Sequence, residues 1–191
     1  VSDGTSAGTY QTRDLYPIQT DAFIKHMTVV DTFLFFRAHE SGSYYDWEPY
    51  VVNSAQSNYP RRLKNIYPGN VSSNSDSYIA HRGKLYFGAE DGVHGYEIWV
   101  SDGTSNGTQL LLDANMGTPD NTGLTELAPI PNGVIFNAGS TQDPNRELWK
   151  YTASSDTAEL VMNFKTTTAG NPSDFLSTPN GTYFSILESS F

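Results

Sequence analysis

The sequence predicts an all-β fold made of about four four-stranded sheets, arranged like the blades of a β-propeller. Aromatic residues make up 13% of the 191 residues and charged residues only 17%, with 16 Gly and 10 Pro. Short strands joined by many turns produce this balance, whereas a helical bundle needs more Leu, Ala, Glu and Lys. The second observation is an internal repeat of about fifty residues, a period typical of four-stranded propeller blades. A linear β-solenoid, which usually has shorter periods, is the alternative architecture.

Several independent landmarks carry the repeat. The segment VSDGTSAGT at residues 1–9 recurs as VSDGTSNGT at residues 100–108. A second landmark is a triplet of an acid, an apolar residue and an aromatic residue, which recurs at residues 48–50, 97–99 and 147–149. The acids are Glu48, Glu97 and Glu147, and the aromatic residues are Tyr50, Trp99 and Trp149. A third landmark is a Phe that ends an apolar triplet, at spacings of 51, 49 and 48, in Phe36, Phe87, Phe136 and Phe184. We therefore expect all these residues to serve the scaffold.

These landmarks divide the chain into one repeat domain over residues 1–191. Its units are approximately 1–50, 51–99, 100–149 and an incomplete 150–191. In the third unit we expect strands near residues 109–113, 124–130, 134–138 and 146–150. The apolar triplets do not alternate with polar residues, which indicates sheets that are covered on both faces.

Composition excludes several classes of function. The net charge of −10 would repel nucleic acid and anionic lipid. The chain has no Cys, so disulfides, a Cys nucleophile and Cys-based metal sites are excluded. Apolar runs stay well short of the ~18–20 residues that span a bilayer, so we expect no membrane insertion. The sequence carries no nucleophile elbow, P-loop or dinucleotide fingerprint.

The segment Glu97-Ile98-Trp99-Val100-Ser101-Asp102-Gly103-Thr104 resembles the bacterial E-L-W-x-x-D-G-T repeat. That resemblance implies large, secreted or cell-surface proteins with many tandem, propeller-like copies, and it implies no common catalytic residues. We therefore expect a secreted or cell-surface structural or adhesive scaffold that is not an enzyme. A carbohydrate-binding propeller is the alternative function, and a glycoside hydrolase of the sialidase kind ranks last.

The fourth unit reaches Phe191 before its Trp-equivalent position, and Val1 occupies the position that elsewhere follows Trp. One outer strand is therefore expected to be absent from the fourth unit. The sequence favours a piece of a longer repeat protein. The alternative is that a neighbouring chain adds the strand, and such head-to-tail addition would build filaments.

Acidic side chains have two interpretations. Glu48, Glu97 and Glu147 recur with the scaffold, so we expect each of them to pair within its own blade. Asp102 lies beside Gly103 in a loop where it can bind backbone N–H groups two residues on. Ca2+ could use the same oxygens with help from Asp91 or Glu90, but the loop lacks a dense series of acidic ligands, and turn stabilisation is favoured. No other cofactor is implied.

Other candidates lie in loops. Tyr44, Tyr45 and Trp47 form an aromatic cluster that could stack on sugar rings or a partner. Arg61, Arg62 and Lys64 form the only basic cluster, which we expect to be a solvated strand edge. Glycosylation sequons begin at Asn70, Asn106 and Asn180. They are relevant if the protein is a secreted glycoprotein.

Overall fold

The computed structural model of the chain describes residues 1–15, 23–39, 46–113, 126–140, 143–164 and 170–187. Within these ranges the protein is all-β, with strands that pair antiparallel and no helix, so the prediction of an all-β chain is confirmed. The same residues accordingly contain no helix long and apolar enough to cross a membrane.

In the described residues the strands form three four-stranded sheets and one two-stranded sheet, each with its strands in sequence order. Sheet 1 contains β1 (Lys25–Val30), β2 (Phe33–Ala38), β3 (Glu48–Asn53) and β4 (Ser57–Arg62). Sheet 2 contains β5 (Asp76–His81), β6 (Lys84–Glu90), β7 (Tyr96–Ser101) and β8 (Gln109–Leu112). Sheet 3 contains β9 (Leu127–Ile130), β10 (Gly133–Ser140), β11 (Asp143–Thr152) and β12 (Thr157–Met162). Sheet 4 contains β13 (Gly170–Thr178) and β14 (Gly181–Leu187).

The division into units taken from the sequence is shifted by one strand relative to these sheets. Residues 109–113 were expected to open the third unit, but β8 is the outer strand of sheet 2, paired with β7. The physical reason is the tight turn at residues 102–108, which folds β8 directly back onto β7. The expected unit boundaries after residues 50, 99 and 149 therefore fall inside β3, β7 and β11.

The first strand of a sheet carries a repeated distortion. In sheets 1, 2 and 4 its pairing register shifts, which marks a β-bulge. At each bulge a non-glycine residue has a left-handed φ of 56°, namely His26, Ser77 and Asp174. Three residues earlier in each case stands a second left-handed residue, namely Phe23, Asn74 and Asn171. This backbone shape recurs although the side chains differ, so it belongs to the scaffold and not to one copy.

The sheets pack face to face, and alternate side chains of one strand cover opposite neighbours. On β6, Leu85 and Phe87 join a buried cluster with sheet 1, which includes Phe35. Tyr86, between them, joins a second cluster with Phe136 of sheet 3. The central strands are thus buried on both sides, as the unbroken apolar triplets predicted.

Candidate functional site

The aromatic residues of the repeat signature occupy equivalent positions, each opposite the recurring Phe of its own sheet. Trp99 is buried in the cluster shared by sheets 1 and 2, and its Nε1–H donates to the Ala89 carbonyl over 3.2 Å. Trp149 packs against the cluster between sheets 2 and 3, and Tyr50 is fully buried on the other face of sheet 1 with Phe36. Phe36, Phe87 and Phe136 are also buried, and Phe184 is half-buried in sheet 4. The pairs in sheets 2 and 3 therefore hold neighbouring sheets together, whereas the pair in sheet 1 packs with Leu15 of the preceding segment.

Two of the recurring acids bind the backbone of the segment that leaves their sheet. Glu48 is fully buried, and its two carboxylate oxygens accept the N–H groups of Ile66 and Tyr67 over 3.0 and 3.2 Å. Glu147 is buried and accepts the N–H of Phe164, the residue that matches Ile66 in the repeat. Glu97 is buried at the same position of sheet 2. A carboxylate in this place fixes the start of the connection to the next sheet.

Burial raises the pKa of one of these acids, Glu48. Removal from water raises the pKa of Glu48 from 4.5 to about 7, although hydrogen bonds from Ile66, Ser73 and Tyr67 oppose the change. A raised carboxyl pKa is a common property of catalytic acids. Here the group lies in the scaffold and has no exposed surface, so the shift is a consequence of its structural position.

The two Asp-Gly-Thr turns have the same internal hydrogen bonds. Asp102 Oδ1 accepts the N–H and the hydroxyl of Thr104 over 2.8 and 2.7 Å, and Asp3 does the same with Thr5 over 2.9 and 2.8 Å. In the second copy the Thr104 hydroxyl also accepts the Gly107 N–H over 2.9 Å. These bonds lower the pKa of Asp102, so the carboxylate is ionised and engaged within its own turn.

This geometry predicts that Gly107→Ala is destabilising, because a Cβ at residue 107 would collide with the Asp102 carboxylate. We expect a loss of about 1–3 kcal/mol in the free energy of unfolding, measured by urea denaturation. Ser105→Ala, at an exposed residue of the same turn, is the control and should change stability by less than about 0.5 kcal/mol. Equal stability of Gly107→Ala and wild type would contradict the proposed packing of the turn.

Asp91 has a comparable local role. Its carboxylate accepts the N–H groups of Val93 and His94 over 2.8 Å and contacts His94 Nδ1 over 2.7 Å. This hydrogen bond raises the pKa of His94. Burial alone would raise the pKa of Asp91, but the bonds from His94 and Val93 outweigh it and lower that pKa. Among the described residues, no three His, Asp or Glu side chains are grouped so as to hold a metal ion. The proposed Ca2+ ligands Asp91 and Asp102 therefore serve separate turns.

The aromatic cluster of the first unit is described only in part. Tyr44 and Tyr45 lie outside the described residues. The Trp47 ring is half-buried, with the Arg37 guanidinium 4.9 Å and the His39 ring 5.0 Å from its centre. Trp47 also anchors the next connection, because its carbonyl accepts the Ser73 N–H over 3.1 Å. These contacts occupy much of the ring surface that a sugar would need.

The basic cluster begins on the outer strand of sheet 1, where Arg61 is exposed as expected, but its side chains also bond to other parts of the structure. Arg61 Nη2 donates to the Gly103 carbonyl over 2.7 Å, and Lys64 Nζ donates to the Thr108 carbonyl over 2.7 Å. Both bonds join sheet 1 to the Asp102 turn of sheet 2. Arg62 instead pairs with the buried Asp46 over 2.8 Å. Because the carbonyls become neighbours only when the sheets stack, no local sequence signal could have identified these bonds.

The three sequon asparagines, Asn70, Asn106 and Asn180, are exposed. Thr108, the hydroxyl residue of the second sequon, is fully buried, and its hydroxyl bonds with Ser101 over 2.7 Å. That residue therefore has a structural role whether or not Asn106 carries a glycan.

Comparison with known proteins adds no assignment. No protein-family model matches the chain, and a search of curated proteins finds no significant match. The contacts within and between the sheets are therefore the basis for interpreting its function.

Proposed function

We propose that this chain is a structural scaffold module of a secreted or cell-surface protein, built from propeller-like blades and without catalytic activity of its own. The resemblance of residues 97–104 to the E-L-W-x-x-D-G-T repeat supports this location and this build. The observation that carries the proposal is the use of the signature residues. Glu48, Trp99 and Asp102 are all engaged in contacts that maintain the sheets and their spacing.

The arrangement of the sheets supports blades of a propeller. The first strands of successive sheets, β1, β5, β9 and β13, lie next to one another, as inner strands around an axis would. Each sheet is hydrogen-bonded internally as an antiparallel meander. In a linear β-solenoid, successive coils are instead hydrogen-bonded to each other, so the observed pairing favours the propeller-like alternative.

A scaffold of this kind grows when the equivalent face of each sheet packs against the next sheet. On β5 and β6, the cross-strand pair Ile79 and Tyr86 faces sheet 3 and packs in the buried cluster there. The matching pair in sheet 4 is Leu176 and Tyr183, which are 63% and 62% exposed. Exposed apolar pairs at a position that is buried elsewhere indicate an interaction surface. We propose that this face binds another sheet of the same kind, which in a solution of this chain is supplied by a second copy.

The test is the oligomeric state of the chain and of the double variant Leu176→Asp/Tyr183→Asp. We expect concentration-dependent association of the wild type in analytical ultracentrifugation, and a loss of that association in the variant, because two buried carboxylates would oppose docking. Val93→Asp, at a residue that is 68% exposed in a loop of sheet 2, should associate like the wild type. A wild type that is monomeric up to the highest soluble concentration, or association that survives the double variant, would contradict self-stacking.

A further inference from the structure

We infer that the chain has a saccharide-binding site around Tyr59, on the outer strand of sheet 1. The Tyr59 side chain is 67% exposed and lines two neighbouring cavities of about 380 and 280 Å3. The larger lies within the range of roughly 300–1,000 Å3 that is typical of small-molecule sites. This site is separate from the aromatic cluster at Trp47 and does not depend on the proposed scaffold function.

The larger cavity lies at the seam between sheets 1 and 2. Phe33 and Tyr59 provide its rings, and Gly103 of the neighbouring turn closes it from the side of sheet 2. A side chain at residue 103 would collide with the Phe33 ring, and its left-handed φ of 91° also favours glycine. Arg61, bonded to the Gly103 carbonyl, holds the two sides of the cavity together. The cavity is therefore fixed by packing between two sheets and not by a single loop.

The polar groups of this cavity are available for a ligand. The side-chain amide of Gln56, the hydroxyl of Tyr59 and the remaining N–H groups of Arg61 make no hydrogen bond to other residues that the structure describes. Asn53 uses its side-chain oxygen for the Ala55 N–H over 3.1 Å, which leaves its NH2 group as a donor. Amide and guanidinium groups beside the exposed Tyr59 ring suit a pyranose, whose hydroxyls need donors and acceptors and whose C–H faces stack on aromatics.

The smaller cavity extends the site to a second sugar unit. It lies on the other side of Tyr59 and is lined by Tyr10, which is 51% exposed. The Asn58 Nδ2 donates to the Tyr10 hydroxyl over 3.2 Å and thereby joins this segment to β4. Two tyrosine rings along adjoining cavities fit a chain of sugars better than a single one.

Charge points to a neutral saccharide. Apart from tyrosine, Arg61 is the only ionisable residue among those lining the two cavities, and one of its nitrogens already binds Gly103. A single, partly committed guanidinium cannot neutralise the regular charge of an anionic polysaccharide, and the chain's net charge of −10 would repel it. β-Linked glucose oligomers have the flattest apolar faces, because their hydroxyls are equatorial, and are the ligand class to which the inference commits.

The test uses isothermal titration calorimetry and saturation-transfer NMR with cellotetraose as the probe and polygalacturonate oligomers as the charged comparison. We expect cellotetraose to bind, Tyr59→Ala to weaken its affinity roughly tenfold and Tyr59→Phe to retain it, because the ring provides the stacking surface. Tyr59 is an exposed side chain, so its replacement should leave folding intact, which thermal unfolding checks. Val93→Ala, remote from both cavities in the sequence and absent from their linings, should bind like the wild type.

Three results would overturn the inference. They are no cellotetraose binding at about 10 mM ligand, unchanged affinity in Tyr59→Ala, and binding restricted to the charged oligomers.

Discussion

Phe87→Ala is expected to lower the free energy of unfolding by about 3–5 kcal/mol. The Phe87 side chain has no exposed surface and lies in the cluster that joins sheets 1 and 2, together with Phe35 and Trp99. Its removal would leave a cavity between two layers that are each held by their neighbours, so the layers cannot close the gap without losing other contacts. Urea denaturation monitored by tryptophan fluorescence measures the change. An unaltered m-value would show that the variant and the wild type expose the same amount of surface on unfolding.

The control for this experiment is Val93→Ala, because Val93 is 68% exposed and lies outside the buried clusters of the described residues. It should change stability by less than about 0.5 kcal/mol. A loss below about 1 kcal/mol in Phe87→Ala would contradict the role of the inter-sheet cluster as the main source of stability.

Glu48 is expected to make the protein less stable as the pH rises from about 4.5 to about 7. In the unfolded chain the carboxyl loses its proton near its ordinary pKa of 4.5, whereas burial keeps it protonated in the folded protein until about pH 7. Between these values the folded state binds more protons, so the free energy of unfolding falls with rising pH. Above pH 7 both states are ionised and this loss is complete, at about 3 kcal/mol.

Glu48→Gln removes this titration while keeping oxygen and nitrogen atoms of similar size in the buried site. We therefore expect the stability of the variant, measured by denaturation at intervals from pH 4 to pH 8, to vary less than that of the wild type. Glu159→Gln is the matched control, because Glu159 is exposed and makes only a surface ion pair with Lys150 over 2.6 Å. Identical pH profiles for the wild type and Glu48→Gln would show that Glu48 does not titrate in this range.

These two predictions describe one property of the molecule. Each sheet offers its neighbours two apolar faces, and Glu48 ties down the connection that brings the next sheet into place. Each sheet is then stabilised by its contacts with the neighbouring sheets, as in other repeat proteins, and a substitution in one interface destabilises both sheets that form it. A module built in this way can vary its loops and cavities while the layers remain the same.

Much of the fold could be predicted from local patterns. The period of about fifty residues identified equivalent positions, and Tyr50, Trp99 and Trp149 each lie opposite the recurring Phe of their own sheet. Asp102 was expected to bind backbone N–H groups two residues on, and its bond to the Thr104 N–H has this geometry. Both features depend on residues close in sequence or on strict repetition, which a single sequence records.

Less could be predicted about the candidate site. Trp47 stood out as an aromatic residue in a polar loop, but its ring packs against Arg37 and His39. Tyr59, the residue at the centre of the proposed saccharide site, had no signal in the sequence, because an exposed tyrosine in a strand is ordinary. Its cavities arise where β4 meets the Asp102 turn on one side and the segment at Tyr10 on the other.

The amino-acid pattern alone was enough to predict an all-β chain with a repeat of about fifty residues and sheets with two apolar faces, because strand propensity, turn residues and periodicity are local properties. The three-dimensional arrangement was needed to show that β8 belongs to sheet 2 and that Arg61 and Lys64 bond to the turn of the next sheet. The reason is that an outer strand can pair with either neighbour, and a long cation can reach any carbonyl within its radius. The turn at residues 102–108 selects the partner of β8, and stacking of the sheets brings the two cations to carbonyls about forty positions away.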